Sequence, residues 1–505
     1  MTDAIDRSFI DSVRERLRTT TVEHLIDGDF VPGQQRETFE TLDPSTNEPL
    51  GTVCQGHSED IDRAAQAAKR AFDEHWGPIK AKERKRYLLR IADAIDDHAD
   101  ELAVLECLDA GQALRIVRKL VGRSADNFRF YADYAEHVMD GRSFPVNDEF
   151  LNYSVRQPIG PVGIITPWNA PMMLSTWRIA PALAAGDTVV HKPAEWAPLS
   201  AWKLAEIIQD TDLPPGVFNV VHGFGETAGA PLTSHPDVPL IALTGETTTG
   251  STVMKNSADQ LKRLSLEMGG KSPALVFADA DLERALDAVV FQIYSFNGER
   301  CTANSRLLVE ESIFDDFVDR VAERAKNVNV GHPLEPGTEV GPLIHPDHLD
   351  RVLGYLEQGK QEGADVLAGG GRIGEKGNYL APTLFVGTNE MTISREEIFG
   401  PVLTAIPFKD EADALRMAND TRYGLAAYVW TKEAERAHRL SAKIDAGMVW
   451  VNSHNVRHLP TPFGGMKHSG LSREGGHHAF EFYTELKNVC VPLGEHHIPK
   501  FGKGG

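Results

Sequence analysis

Between residues 60 and 140 apolar positions recur three and four apart. DIDRAAQAAKRAFDEH and RKRYLLRIADAIDDHADELAVLECLDA each carry an apolar stripe at that spacing, which predicts amphipathic helices. From Pro161 the rhythm changes. PVGIITP precedes MMLSTWRIAPALAAG, DTVVHKP precedes SAWKLAEIIQDT, GVFNVVHG precedes ETAGAPLTSH, and LIALTG precedes TTTGSTVMKNSAD. Short apolar runs alternating with helical segments predict βαβ units and a parallel sheet. A second series follows: PALVF with DLERALDAVVFQIYSF, RLLVEESI with FDDFVDRVAERAKNV, VLTAIPF with DEADALRMAND, then AAYVWT, ERAHRLSAKIDA and GMVWVNS. Two such units predict a ligand cleft between them. SFPVNDEFLNYSVRQP and FYTELKNVCVPL belong to neither unit and read as strands of a separate small sheet, suited to an arm that reaches a partner subunit.

Composition narrows the class. The 505 residues suffice for about three domains. Hydrophobic residues at 41% and charged residues at 25% exclude disorder as the main state. Acidic residues outnumber basic ones, 73 to 52, and the formal charge of −21 disfavours adhesion to nucleic acid or anionic lipid. Cys54, Cys107, Cys301 and Cys490 lie far apart with no CxxC pair, which suits a reducing compartment and neither a disulfide framework nor a zinc site. The start lacks the apolar core of a signal peptide. The uncharged stretch from Gln157 to Trp177 is long enough to span a bilayer, but Pro158, Pro161, Pro167, Pro171 and Asn169 argue against a spanning helix. A cytoplasmic protein that engages neither nucleic acid nor membrane is expected.

Several segments could carry chemistry, and each has a plainer reading. Cys301 lies in FNGERCTANS, among polar neighbours that could stabilise a thiolate; a buried cysteine acting as a small hydrophobe is the alternative. Glu267, in LSLEMGGKSPALVF, is a paired structural group or a base whose pKa burial has raised. TGETTTGS (244–251) and HGFGETAG offer small residues at helix starts, suited to an anion or to ordinary turns. Neither matches G-x-G-x-x-G. In HKPAE, Lys192 and Glu195 could hold ribose hydroxyls or form a solvated pair.

Taken together, ITPWNAPMM, HKPAE, LTGETTTGS, LEMGGKSP, FNGERCTA, EEIFGPVL, VWVN and PFGGMKHSG stand in the order and spacing of the aldehyde dehydrogenase superfamily. The resemblance runs from about residue 25 to 495. It implies an α/β fold with two Rossmann-type parallel-sheet domains and a small β oligomerisation arm. Residues 1–138 and 158–268 would bind NAD, 269–477 would carry catalysis, and 139–157 with 478–505 would form the arm of a homodimer or homotetramer.

Carried over by residue, the resemblance implies Cys301 as nucleophile and Glu267 as general base, with the Asn169 amide and the Cys301 N–H as oxyanion hole. Ile165, Thr166, Pro167 and Trp168 would line the cofactor cleft. Lys192 and Glu195 would hold the adenosine ribose, Gly225 would approach the adenine, and Gly245 and Ser251 would flank the helix start under the pyrophosphate. Glu397 and Phe399 would hold the nicotinamide ribose and ring. No metal is required. The resemblance also puts Arg123 and Arg457 where fatty-aldehyde members have apolar tunnel residues, and Trp177 and Phe463 are further candidate substrate residues. Such arginines suit a carboxylated aldehyde, or else pair with protein acids or solvent.

Three departures stand out. Glu299 replaces a common Gln and is expected to face away from the thiol. Glu246 replaces a common Ser, which puts a simple pyrophosphate contact there in doubt. LSREGG lacks a glycine often found before the Arg. Glu246, GERCTA and Ala170 together resemble the branch that oxidises 5-carboxymethyl-2-hydroxymuconate semialdehyde in 4-hydroxyphenylacetate breakdown. Oxidation of 2-hydroxymuconic, betaine or aliphatic aldehydes is the alternative, and a non-catalytic protein on this fold the more distant one.

Overall fold

The computed structural model describes residues 5–138, 141–144 and 148–502. Parts of the sequence-based division, 1–4, 139–140, 145–147 and 503–505, lie outside the described residues.

Five parallel strands form the centre of the first sheet, in the order Arg263–Glu267, Leu240–Thr244, Pro161–Ile165, Thr188–Lys192, Phe218–Val220. The alternation along the chain predicts this part. Both edges are antiparallel: Gly470–Leu471 pairs with Arg263–Glu267, and the hairpin His24–Ile26/Asp29–Val31 closes the other side. These edge strands are two or three residues long, too short to show a period. Gly470–Leu471 also brings a segment from beyond the second unit back onto the first sheet. A further sheet of Thr21–Val22, Pro49–Cys54 and Thr38–Leu42 was not legible in the sequence.

The helix Pro171–Ala185 lies inside the first domain. Pro171 occupies the first turn, Gly186 ends the helix at φ +107°, and every residue between is buried. The uncharged stretch is thus a strand, a turn and a buried helix. No helix among the described residues is long and apolar enough to cross a membrane.

The second sheet has seven strands, all parallel except the edge strand Asp365–Ala368. Leu282–Tyr294 and Phe314–Lys326 pack on one face, Glu411–Asn419 and Ala434–Lys443 on the other. The two outlying segments pair as expected: Phe150–Pro158 runs antiparallel to Thr484–Pro492 over nine residue pairs, with Ser143–Phe144 on the far side.

Candidate active site

In the first sheet the strand order reverses between Pro161–Ile165 and Leu240–Thr244. Chain leaving the carboxyl ends of neighbouring strands at such a point diverges and opens a crevice. Ile165 ends the first of these strands. Thr166, whose hydroxyl meets His191 Nε2 at 2.8 Å and Ser175 Oγ at 3.1 Å, anchors the turn that follows. That turn carries Pro167, Trp168 and Asn169. Asn169 is buried and its Nδ2 donates to the backbone oxygen of Glu299 at 2.8 Å. One N–H is thereby committed and the second is left for another acceptor.

Glu299 belongs to the loop that carries Cys301. The turn Ser295–Gly298 holds Phe296, Asn297 and Gly298 at φ +58°, +57° and +72°. Asn297 stabilises it: Nδ2 donates to Gly111 O (3.1 Å) and Pro342 O (2.9 Å), and Oδ1 accepts from Gly341 N (2.7 Å). At Gly298 any Cβ would collide with the Gly400 backbone. Cys301 follows, part-exposed. Burial raises its thiol to about 11; Arg457 and Arg300 act to lower it, Glu267 and Glu397 to raise it. The Glu299 carboxyl group turns away from the thiol, as expected, and accepts from Ile344 N at 2.9 Å.

Glu267 ends the strand Arg263–Glu267. Burial raises its carboxyl to about 7, helped by Glu474 and opposed by Arg178, Arg457 and Arg473. Arg178 lies 3.8 Å away and forms a closer ion pair with Glu474. It also donates to Ser265 Oγ (2.6 Å), Thr244 Oγ1 (3.1 Å) and Leu243 O (3.1 Å). Glu267 Oε1 has no hydrogen-bond partner. A carboxyl group poised near neutrality with a free oxygen can take a proton. Arg178 and Glu474 were missed by sequence reasoning. Arg178 had a usable signal, as the one charge in an otherwise apolar helix; Glu474 had none.

The cofactor side gathers most of its expected residues. Lys192 Nζ donates to Glu195 Oε2 at 2.8 Å where the strand Thr188–Lys192 ends. A Cβ at Gly225 would meet open space. Gly245 precedes the helix Thr247–Ser257, whose N-terminus has no side-chain cap. Glu246 is turned toward Arg351, 3.7 Å away. Ser251 lies in the helix's second turn, its hydroxyl donating to Thr247 O at 3.1 Å. Glu397 accepts from Gly270 N at 2.8 Å, and burial raises it to about 7. A Cβ at Gly269 would overlap that carboxyl group. Phe399, at φ +61°, meets Trp168 edge-on at 5.3 Å. An uncapped helix start for a pyrophosphate, hydroxyl-binding charges at a strand end and a carboxylate beside an aromatic shelf together fit a dinucleotide.

On the opposite side the four expected substrate residues converge. Arg123 stands over the Trp177 ring at 5.9 Å, Arg457 over Phe463 at 3.9 Å, and the two rings meet at 6.2 Å. Burial, then Arg457, lowers the pKa of Arg123. Its Nη2 is buried without a hydrogen bond. Arg457 Nε donates to the neutral Asn455 Oδ1 at 3.2 Å.

The sequence model of the aldehyde dehydrogenase family matches residues 30–489. The chain is 45% identical over 464 residues to the 5-carboxymethyl-2-hydroxymuconate semialdehyde dehydrogenase of Escherichia coli, covering 90% of this chain and 97% of the relative. It is 42% identical over 484 residues to the 2-hydroxymuconic semialdehyde dehydrogenase of Pseudomonas sp. (strain CF600), covering 94% and 99%. The crystal structure of HpcC from Thermus thermophilus superposes with a TM-score of 0.98 at 67% identity, covering 99% of this chain and 98% of that one. An NAD+ complex of the aldehyde dehydrogenase from Bacillus cereus gives 0.94 at 40% identity, covering 98% and 100%. On a family match over residues 30–489 and relatives aligned over nine-tenths of the chain or more, the chain belongs to the aldehyde dehydrogenase family and is an NAD-dependent aldehyde oxidoreductase.

Proposed function

We propose that this enzyme oxidises a carboxylated semialdehyde, 5-carboxymethyl-2-hydroxymuconate semialdehyde, to the free acid. The observation that carries this reading is the pair Arg123 and Arg457. Neither forms an ion pair among the described residues, and Arg123 Nη2 is buried without a partner. Both guanidinium groups are half-buried and rest on aromatic rings, and a partly desolvated cation with no acid partner is poorly matched to an aliphatic aldehyde. A substrate carboxylate supplies the missing partner, since guanidinium and carboxylate match as bidentate donors and acceptors. The relatives named for muconic semialdehydes support it.

The chemistry follows from the chain's own groups. The Cys301 thiolate attacks the aldehyde carbon, forming the C–S bond and sending the carbonyl π electrons to oxygen. Asn169 Nδ2 and the Cys301 N–H hold that oxygen, each such donor typically worth ~3 kcal/mol. Lys192, Glu195, Glu397 and Phe399 would hold NAD, which when bound would supply the hydride acceptor. Loss of the C–H bond leaves a thioester on Cys301. Glu267 takes a proton from water, the resulting hydroxide attacks the thioester, and C–S cleavage regenerates the thiolate. Glu195 disfavours the extra phosphate of NADP by charge repulsion.

The arm completes the reading. Leu151 and Val155 share one face of its strand and Val491 lies opposite Leu151; all three are exposed. We read this face as the contact between copies in a homodimer or homotetramer, and place the enzyme in the cytoplasm. Purified protein screened against semialdehydes and neutral aldehydes, followed at the NADH absorbance, tests the substrate. The highest kcat/KM is expected with 5-carboxymethyl-2-hydroxymuconate semialdehyde; comparable values with betaine aldehyde or a straight-chain aldehyde would overturn it.

A further inference from the structure

Glu299 is attached to both sides of the reaction centre, once through its backbone and once through its side chain. Its backbone oxygen takes the Asn169 Nδ2 hydrogen at 2.8 Å. That bond fixes the plane of the amide and aims its second N–H. The Glu299 side chain, fully buried, reaches the other way. Oε1 accepts from Ile344 N at 2.9 Å, and Oε2 faces Gln112 Nε2 at 3.3 Å and Asn297 Nδ2 at 3.4 Å. His348 Nε2 lies 3.8 Å from Oε1 and 2.8 Å from the backbone oxygen of Phe399. A carbonyl only accepts, so Nε2 carries the hydrogen and donates it to Phe399. The His348 ring also packs against Trp168 at 5.1 Å, and Trp168 directly precedes Asn169. The circuit runs Asn169, Glu299, His348, Phe399, Trp168 and back to Asn169; its Glu299–His348 joint is packing at 3.8 Å against a ring that burial keeps neutral, without a hydrogen bond or ion pair.

We propose that Glu299 is a positioning residue that ties the oxyanion amide to the nicotinamide shelf, so that seating the cofactor and readying Asn169 are one event. This rests on the roles proposed above for Asn169 and Phe399. The pocket is built for acceptors at residue 299. Ile344 offers a backbone N–H, and the Asn297 amide cannot rotate because Gly111 O, Pro342 O and Gly341 N hold both its ends. Gln112 can rotate, since its Oε1 has no partner. A glutamine at 299 keeps the Ile344 bond through its oxygen and can donate to a rotated Gln112, losing only the long Asn297 contact, whereas alanine loses every one of these contacts.

The test uses the full-length enzyme with Glu299→Ala, Glu299→Gln and His348→Ala. NAD affinity is read by quenching of tryptophan fluorescence, and the NADH burst rate by rapid mixing at saturating NAD. Glu299→Ala is expected to weaken NAD binding and slow the burst, each by about tenfold, while Glu299→Gln stays within about threefold of the parent in both. His348→Ala should weaken NAD binding by about fivefold yet regain a near-normal burst once NAD saturates, because the bound cofactor then seats the shelf itself. Unchanged NAD affinity in His348→Ala overturns the proposal, and this arm decides even where Glu299→Ala does not fold. Asn169→Ala separates the two levels. A burst unaffected by Asn169→Ala refutes the oxyanion role itself; a slowed one, with Glu299→Ala and His348→Ala both like the parent, refutes only the link.

Discussion

The two sides of the cleft treat charge in opposite ways. On the cofactor side charges are met locally: Lys192 pairs with Glu195 three residues on, and the Glu397 carboxyl takes a backbone N–H. On the proposed substrate side Arg123 and Arg457 come from distant segments, Arg457 lies close enough to help lower the pKa of Arg123, and neither has an acid partner among the described residues. The first arrangement suits a ligand shared across a family, which borrows groups already satisfied at rest. The second leaves a charge deficit for one kind of ligand to fill. On the proposed function, specificity rests on an electrostatic demand that a substrate carboxylate meets.

The proposed reacting pair, Cys301 and Glu267, should fail independently of both sides. Cys301→Ala is expected to cut aldehyde oxidation by about a thousandfold or more with NAD affinity intact. Steady-state rates and fluorescence titration check this; a substantial residual rate would reassign the nucleophile. Glu267→Gln is expected to lower turnover by about a hundredfold while keeping a burst of about one NADH per site, since attack and hydride loss need only the thiolate and the oxyanion hole. In the parent, turnover should rise with pH through about 7, because the base acts only when deprotonated and burial holds its pKa there. That limb should vanish in Glu267→Gln; its persistence would place the titration elsewhere. A smaller effect separates the two sides further. Glu195→Ala should narrow the preference for NAD over NADP by about threefold to tenfold and leave the aldehyde KM unchanged. A change in aldehyde selectivity instead would show that the two sides are not separable.

What was legible in the sequence follows the same divide. Strand ends, motif glycines and the loop that carries Cys301 are local, so Cys301, Glu267, Asn169, Lys192 and Glu397 could be singled out where short motifs resemble the family, although local chemistry alone left Cys301, Glu267 and Lys192 with plainer readings. Arg178, Glu267 and Glu474 are joined only by folding, and no local pattern announces the Arg178–Glu474 pair. The edge strands and the N-terminal sheet were too short or too irregular to show a period. At LSREGG the missing glycine has a structural answer. Ser472 adopts φ +70°, a region that costs most side chains about 1–2 kcal/mol, and its hydroxyl bonds Ser265 Oγ at 3.0 Å. Glu299 illustrates the mixed case: its departure from glutamine was visible, but its partners were not.

The most direct measurement of the central claim is the ratio of kcat/KM for a carboxylated muconic semialdehyde to that for a neutral unsaturated aldehyde of equal length. It should be taken in the parent and in the Arg123→Leu/Arg457→Leu double variant. If the arginines read the substrate's carboxylate, the ratio falls by about a hundredfold, roughly tenfold per lost contact, with activity on the neutral aldehyde preserved or improved. An equal loss on both aldehydes, leaving the ratio unchanged, would show that the two arginines only hold the structure and would contradict the account.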